Sequence, residues 1–236
     1  MRYRWSFLLL GATACGEASR SRDACSEVTQ AIMGGSSAPG DGGAALPASI
    51  AAIESSTGAL LCTGTVVSAG RILTAAHCRK SDGLRLRMPS SGGEAVARAY
   101  IVHPELDVMV IEFDASAPGF GVALELVSDD MSAGWIGRRL ELAGYGTTEA
   151  GSTGELRFTE EPVSKIERSE IAVDGAGASG ACLGDSGGPL LVLDGTPSPK
   201  VAGVLSRGSA SCRGIDVYTR ADVIAAWLDR TSGCNF

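Results

Sequence analysis

The sequence predicts an all-β fold in two halves, followed by a single helix near the C-terminus. Short β-prone runs alternate with Gly, Ser, Asp and Pro, which is the rhythm of a barrel or sandwich. The runs are residues 50–53, 60–67, 84–88, 95–102, 108–113, 140–143, 190–193 and 201–205. The chain of 236 residues contains 32 glycines, which supply the many turns that short strands require.

Two further segments define the helix and the boundary between the halves. Over residues 221–231 four apolar side chains can share one helical face, namely Val223, Ile224, Trp227 and Leu228. Residues 115–135 are rich in Pro, Gly, Ser and Asp, which favours a linker between halves at about 32–115 and 132–218. No internal repeat relates the two halves, so up to this point the division rests on the number of strands.

The charge of the chain narrows its range of partners. Its formal net charge is −7, whereas a protein that neutralises phosphates needs a basic surface. We therefore expect no nucleic-acid partner. We also expect no cofactor and no metal, since the cysteines have neither C-x-x-C spacing nor neighbouring histidines in a zinc-binding pattern.

The N-terminus has the layout of an export signal over residues 1–14. Arg2 and Arg4 form a positive flank, and an apolar run that is too short to span a bilayer follows and ends in small residues. The alternative is a strand of the mature fold at the start of the chain. Residues 15–31 are small and polar and predict a spacer or propeptide, so the folded domain begins at Ile32 and runs to residue 236.

Residues 8–15 also resemble the lipobox of bacterial lipoproteins, in which Cys15 would be lipidated and tether the protein to a membrane. Ala12 departs from the preferred leucine, so a lipoprotein of the cell envelope and a secreted protein both remain open. The seven cysteines form an odd number. Lipidation of Cys15 would leave six, which could form three disulfides in an oxidising compartment.

A serine surrounded by glycines is the first candidate for catalysis. It lies in the segment Gly-Asp-Ser-Gly-Gly-Pro over residues 184–189. A serine nucleophile needs a base, a group that orients the base, and donors for the developing oxyanion. The backbone amides of Gly184 and Ser186 can supply the donors, because glycine leaves the concavity open. The alternative is a glycine-rich turn around a buried serine.

The base is restricted to two residues, because the chain contains two histidines. His77 ends an apolar strand and precedes Cys78, whereas His103 precedes a proline in a turn-like segment and is expected to be structural. Asp107 stands directly before the buried run 108–113 and must find a partner there. A histidine suits this carboxylate; a salt bridge to an arginine is the alternative.

These motifs together, in the chain order His, Asp, Ser, resemble the chymotrypsin family of serine proteases. Residues 32–35, 143–147 and 217–219 add to the resemblance, which covers about residues 32–236. It implies two packed six-stranded antiparallel β-barrels with a C-terminal helix and a catalytic cleft between the barrels. It also implies a monomeric endopeptidase that acts on proteins or peptides.

Under this resemblance Ser186 is the nucleophile, His77 the base, and Asp107 the residue that orients His77. The resemblance also implies disulfides Cys62–Cys78 and Cys182–Cys212. These pairs leave Cys25 and Cys234, and a disulfide between these two is a further hypothesis.

Members of the family are made as zymogens, and the resemblance implies activation by cleavage before Ile32. The new amino group would then pair with Asp185. Ala31 departs from the basic residue usual at this cleavage point, so the resemblance does not identify the activating protease.

The resemblance predicts the substrate pocket with less detail. Gly180 stands where trypsin-like relatives hold a pocket-floor aspartate, whereas Asp216 aligns with another position at the pocket base. Ser206, Arg207 and Gly208 form the segment that should pair with the substrate backbone, and Arg207 stands where relatives usually have tryptophan. We therefore predict cleavage after basic and some large apolar residues. The alternative for Asp216 is an aspartate in a solvated loop.

Two other functions are alternatives to this one. A catalytically inactive homologue would act as a binding or scaffold protein, but such proteins usually lose a triad residue. A serine esterase of the α/β-hydrolase fold would have a different order of catalytic residues and alternating helices and strands.

Overall fold

A computed structural model of the protein describes residues 32–41, 43–44, 46–194 and 198–231. The predicted signal peptide and spacer, the lipidation site Cys15 and the pair Cys25 and Cys234 lie outside the described residues. The fold is mostly β, with one α-helix, α1, at Ala221–Thr231. No helix in the described ranges is long and apolar enough to cross a membrane.

The first half of the chain forms one antiparallel sheet of seven strands in the order β5-β4-β1-β2-β3-β7-β6. Its apolar side packs into a continuous core that includes Ile53, Ile72 and Ile111, all buried. The strands are β1 (Ile50–Glu54), β2 (Leu60–Ser68), β3 (Arg71–Thr74), β4 (Arg85–Met88), β5 (Gly93–Val96), β6 (Ala99–Val102) and β7 (Met109–Glu112).

The second half forms a closed barrel of six strands in the order β12-β9-β10-β11-β14-β13, and a β12–β13 pairing closes the ring. A two-residue strand, β8, adds to β13 in parallel. The strands are β8 (Glu125–Leu126), β9 (Arg139–Gly144), β10 (Arg157–Ile166), β11 (Glu170–Asp174), β12 (Pro189–Val192), β13 (Lys200–Arg207) and β14 (Ile215–Arg220). The predicted all-β fold of two barrels and a C-terminal helix is thus confirmed.

The first barrel is a half-barrel, because β5 and β6 remain its two edges within the described residues. The sequence run 95–102, predicted as one strand, divides at Ala97 and Arg98. The amide of Ala97 donates to Leu84 O at 2.9 Å, whereas that of Arg98 donates to Glu112 O at 2.7 Å. The chain therefore crosses from one edge of the sheet to the other at these residues.

Both barrels and α1 contribute to a shared core cluster. Val110 from the first barrel and Val204 from the second pack with Ile224, Trp227 and Leu228 of the helix. The hydroxyl of buried Tyr145 in the second half also donates to Ile50 O in the first half at 3.0 Å. These contacts hold the two halves against each other and define the cleft between them.

Candidate active site

His77 lies where β3 ends, in a short 3-10 helix at Ala76–Cys78. The next residue, Cys78, is joined to Cys62 of β2 by a disulfide with an S–S distance of 2.01 Å. This disulfide anchors the turn that carries the imidazole of His77. His77 is exposed in the cleft.

Asp107 precedes β7 and meets His77 twice. The imidazole Nδ1 lies 2.8 Å from Asp107 Oδ2, and the amide of His77 donates to Oδ1 at 3.0 Å. The hydroxyl of Ser206 also donates to Oδ2, at 2.7 Å. Burial alone would raise the pKa of Asp107, but the hydrogen bonds from His77 and Ser206 lower that pKa to about 2. A permanent carboxylate therefore orients the imidazole.

Ser186 lies in a turn that is bound to both barrels. Thr63 N of β2 donates to Ser186 O at 2.9 Å, and Gly187 N donates to Leu205 O of β13 at 2.8 Å. Gly187 has a φ of +77°, and a Cβ there would lie 1.9 Å from Thr74 Oγ1, so the position requires glycine. Ser186 and His77 line one cavity of about 330 Å³, which brings the predicted nucleophile and base to the same cleft.

Gly184 and Ser186 present their amides without a protein acceptor. Within the described residues neither amide donates a hydrogen bond, whereas Asp185 N, between them, donates to Cys182 O at 3.0 Å. Gly184 has a φ of +100°, and a Cβ there would lie 2.9 Å from both Gly146 Cα and a methyl group of Leu60. Two free amides beside a serine hydroxyl are the arrangement that an oxyanion hole needs.

Asp185 points away from the cleft into the second barrel. It is 1% exposed, and its two oxygens accept from Gly146 N at 2.7 Å and Cys182 N at 2.8 Å. Burial raises the pKa of Asp185 to about 7, although both hydrogen bonds oppose this. Ile32, also 1% exposed, packs in the core of the same barrel. The neighbouring Met33 exchanges backbone hydrogen bonds with Gly180 at 3.0 and 3.1 Å.

A second cavity, of about 400 Å³, also has Ser186 in its lining, and we call it the acyl-side pocket. The disulfide Cys182–Cys212 joins two of its walls, with an S–S distance of 2.08 Å. The lining residues are Ala181, Cys182, Leu183, Ser186, Leu205, Gly208, Ser209, Ala210 and Cys212.

Asp216 lies behind the wall of the acyl-side pocket. It is fully buried, and its Oδ2 accepts from Ala181 N at 2.6 Å. A Cβ on Gly208 would lie 2.5 Å from Asp216 Oδ1, so this carboxylate adjoins a glycine that lines the pocket. Burial raises the pKa of Asp216 to about 6, while the amides of Ala181 and Ser209 oppose the increase. The alternative of a solvated loop aspartate is therefore wrong.

Gly180 is not among the residues that line the acyl-side pocket, and its predicted contact with substrate has no geometric support there. A Cβ at this position would lie 2.8 Å from Cys212 O, because the chain of the opposite wall closes over it. The hydroxyl of Ser206, a residue predicted to lie in the substrate-pairing segment, donates to Asp107 Oδ2. A hydrogen bond between side chains that lie far apart in sequence leaves no local motif, so the sequence did not predict this bond.

His103 has the structural role expected of it. Its Nδ1 accepts from the amides of Glu105 at 3.2 Å and Leu106 at 3.0 Å, and its ring lies 5.0 Å from that of Trp227. The cluster of Cys62, His77 and Cys78 has the geometry of a metal site. Its two sulfurs are bonded to each other, however, so they are not available as thiolate ligands.

Comparison with known proteins places this geometry in a family. The model of the Trypsin family matches residues 32–228, which include both barrels and most of α1. This chain is a member of the trypsin family. Family membership identifies a peptidase-type hydrolase, and the shared fold accounts for the cleft between two barrels.

Several relatives in the trypsin family come from insects. Chymotrypsin of Phaedon cochleariae is 27% identical over 203 residues, which cover 72% of each chain. Trypsin of the same beetle is 24% identical over 204 residues, covering 71% of this chain and 77% of the relative. Melanization protease 1 of Drosophila melanogaster is 30% identical over 117 residues, covering 40% of this chain and 29% of that protein.

Proposed function

We propose that this trypsin-family protein is a serine endopeptidase with Ser186 as nucleophile, His77 as general base and Asp107 as the residue that orients the base. The proposal rests mainly on the pair of hydrogen bonds between His77 and Asp107, which leaves Nε2 of the imidazole free to face the cleft that Ser186 lines. A carboxylate bonded to Nδ1 fixes the imidazole tautomer that can accept a proton at Nε2.

The reaction proceeds through an acyl-enzyme. Ser186 Oγ attacks the carbonyl carbon of a peptide bond while His77 takes the hydroxyl proton. The unpaired amides of Gly184 and Ser186 bind the oxyanion. His77 returns the proton to the leaving nitrogen, and water then attacks the acyl-enzyme by the same route in reverse. Substrates are proteins or peptides, and the enzyme acts as a monomer.

The enzyme is made as an inactive precursor that is cleaved before Ile32. The released ammonium group pairs with Asp185, whose buried carboxylate has no cationic partner within the described residues before cleavage. Such a pairing stabilises the turn 184–186 and with it the oxyanion amides. N-terminal sequencing of the active form is expected to begin at Ile32; a start elsewhere in the chain would remove this activation step.

The acyl-side pocket selects basic and some large apolar side chains. Its apolar lining suits a long side chain, and the carboxylate of Asp216, which adjoins the lining residue Gly208, supplies a negative charge. Asp216→Ser is expected to reduce the preference for lysine over leucine about tenfold in a peptide-library profile. Asp174→Asn, which removes a nearby charge outside the pocket, is the matched control.

The export signal over residues 1–14 directs the protein out of the cytoplasm. The protein is then either secreted or anchored to the cell envelope through lipidated Cys15. The two disulfides fit an oxidising compartment. Mass spectrometry of the mature N-terminal peptide separates a diacylglyceryl cysteine from an unmodified chain.

The direct test of the activity uses the chain that begins at Ile32. It is expected to cleave peptides, and Ser186→Ala should lower kcat by about 10⁶-fold because the nucleophile is lost. Ser116→Ala, at an exposed serine far along the chain, is the control for general effects of the substitution. Equal cleavage by the wild type and Ser186→Ala would refute the proposal, and a folded wild type without activity would favour the inactive homologue.

A further inference from the structure

Thr63 is a fully buried residue of β2 whose hydroxyl reaches across the cleft to the other barrel. This hydroxyl donates to Gly184 O at 2.9 Å and accepts from the amide of Tyr145 at 3.1 Å. Because an amide can only donate, the single hydroxyl proton must point at Gly184 O. The two partners therefore fix the orientation of the hydroxyl.

The backbone of Thr63 is held as firmly as its hydroxyl. Its amide donates to Ser186 O at 2.9 Å, and its carbonyl accepts from the hydroxyl of Thr74 at 2.8 Å. The preceding residue, Cys62, anchors the turn of His77 through its disulfide. Thr63 thus joins the serine turn of the second barrel to the part of the first barrel that carries the imidazole.

The carbonyl of Gly184 has one donor among the described residues, the hydroxyl of Thr63. The same peptide is fixed at its nitrogen, since Asp185 N donates to Cys182 O at 3.0 Å. Gly184 has a φ of +100°, and a glycine leaves the two peptides beside it freer to rotate than any other residue does. Loss of the Thr63 hydroxyl would release the carbonyl of this peptide.

The amide of Gly184 belongs to the preceding peptide, which a second threonine holds. Leu183 O accepts from the amide of Thr147 at 2.8 Å and from its hydroxyl at 3.1 Å. Because the peptide is trans, the N–H of Gly184 points away from that carbonyl. Each of the two peptides around Gly184 is thus held by a threonine hydroxyl, and together these bonds set the direction of the free amide.

We infer that Thr63 is a positioning residue for the reaction, whose hydroxyl holds Gly184 so that the free amide of this glycine points at the developing oxyanion. The inference rests on the proposed peptidase function. Donors that are already oriented stabilise the transition state without reorganising as charge develops. If Gly184 could turn, its amide would point elsewhere for part of the time. The oxyanion would then be stabilised less, while the substrate would bind as before.

Thr63→Val removes the hydroxyl and keeps the shape of the side chain. Loss of a complete oxyanion donor costs about 10²–10³-fold in kcat, so a donor that is misaligned for part of the time should cost less. For hydrolysis of a peptide amide by the chain that begins at Ile32, we expect kcat to fall about tenfold and KM to change by less than about twofold. Thr63→Ser keeps a hydroxyl and should restore kcat to within about threefold of the wild type.

Thr65→Val is the matched control for this substitution. Thr65 lies on the same strand and is also buried, and none of the hydrogen bonds of residues 184–186 involves it. Thr65→Val should therefore leave kcat unchanged. An equal fall of kcat in Thr65→Val and Thr63→Val would overturn the inference, because it would reflect the loss of any buried hydroxyl from β2.

A spectroscopic measurement separates positioning from a general structural role. Ser186 Oγ adds to the carbonyl carbon of a peptidyl trifluoromethyl ketone that ends in leucine or lysine, the hydroxyl proton passes to His77, and the ketone oxygen becomes the hemiketal oxygen. NMR of the isotope-labelled ketone carbon, recorded against pH, gives the pKa of this oxygen. Weaker stabilisation of the oxyanion should raise that pKa by about one unit in Thr63→Val, and leave it unchanged in Thr63→Ser and Thr65→Val.

The outcomes distinguish the inference from the proposed function. An active wild type with the same kcat and the same hemiketal pKa in Thr63→Val would overturn the inference and leave the proposed peptidase intact. A fall in kcat that Thr63→Ser does not reverse, or a Thr63→Val chain that does not fold, would assign the hydroxyl to the fold and would also overturn it. A folded wild type without activity would refute the proposed function, and the inference would fall with it.

Discussion

At the scale of single residues, the site depends on carboxylates whose surroundings differ. Asp107 accepts three hydrogen bonds, so its pKa is lowered to about 2 and it remains ionised. Asp185 and Asp216 are buried with fewer donors, and their pKa values are raised to about 7 and about 6. The carboxylate of Asp107 is ionised at physiological pH. In the proposed function, Asp185 pairs with the new N-terminus and Asp216 pairs with a basic side chain of the substrate.

Asp107→Asn is expected to lower kcat by about 10⁴-fold, because an amide can donate to the imidazole and favour the wrong tautomer. Steady-state hydrolysis of a peptide amide at pH 7 to 8 measures this loss. Asp114→Asn removes an exposed carboxylate seven positions further along the chain and is the matched control. A loss smaller than tenfold in Asp107→Asn would show that the imidazole does not depend on this carboxylate.

The sequence predicts the residues of the proposed triad more readily than the residues around them. A base and a nucleophile stand in short motifs with few alternatives, since the chain has two histidines. The bond from Ser206 to Asp107 joins residues 99 positions apart and has no local signal. The burial of Asp216 likewise depends on the packing of Ala181 and Gly208 against β14.

At the scale of strands and helices, most of the elements follow from local sequence. The helical face over residues 221–231 predicts α1 because its apolar positions recur at helical spacing. The run 95–102 was predicted wrongly as one strand, because β-propensity does not reveal which neighbour a strand will pair with. The linker contains β8, whose two residues are too few to produce a pattern.

The strand β10 carries a buried carboxylate that should make stability depend on pH. Glu161 is fully buried, with a hydrogen bond from Ser179 Oγ at 2.8 Å, and burial raises its pKa from 4.5 to about 7. Between these values the folded chain binds more protons than the unfolded chain, so the contribution of Glu161 to the free energy of unfolding falls as pH rises from about 4.5 to 7.

The free energy of unfolding, measured by urea unfolding, is expected to fall between pH 5 and pH 8. In Glu161→Gln this fall should be smaller than in the wild type by on the order of 2 kcal/mol. Glu94→Gln, at a side chain that is 64% exposed, should leave the pH dependence of the wild type unchanged. The same fall in stability in wild type and Glu161→Gln would contradict the assignment of a raised pKa to this carboxyl group.

At the scale of the whole molecule, the cleft exists because two barrels and one helix share a core. His77 and Asp107 come from the first barrel and Ser186 from the second, so the proposed catalysis requires the barrels to keep their relative position. The cluster of Val110, Val204 and the apolar face of α1 spans this junction.

Ile224→Ala is expected to lower the free energy of unfolding by about 3 kcal/mol, since it leaves a cavity at the junction of the barrels. Ile224 is fully buried, whereas the neighbouring Val223 is 37% exposed. Val223→Ala is the matched control and should cost less than about 1 kcal/mol in urea unfolding. Equal losses would show that the buried face of α1 does not hold the two halves together.

The proposed function makes Ser186 a nucleophile that His77 activates. This is tested most directly by the reaction of the chain that begins at Ile32 with a fluorophosphonate, followed by peptide mapping of the adduct. We expect one adduct per chain, on Ser186, and a rate of labelling that falls at least about a thousandfold in His77→Ala. An adduct on another residue, or an equal rate of labelling in His77→Ala, would contradict it.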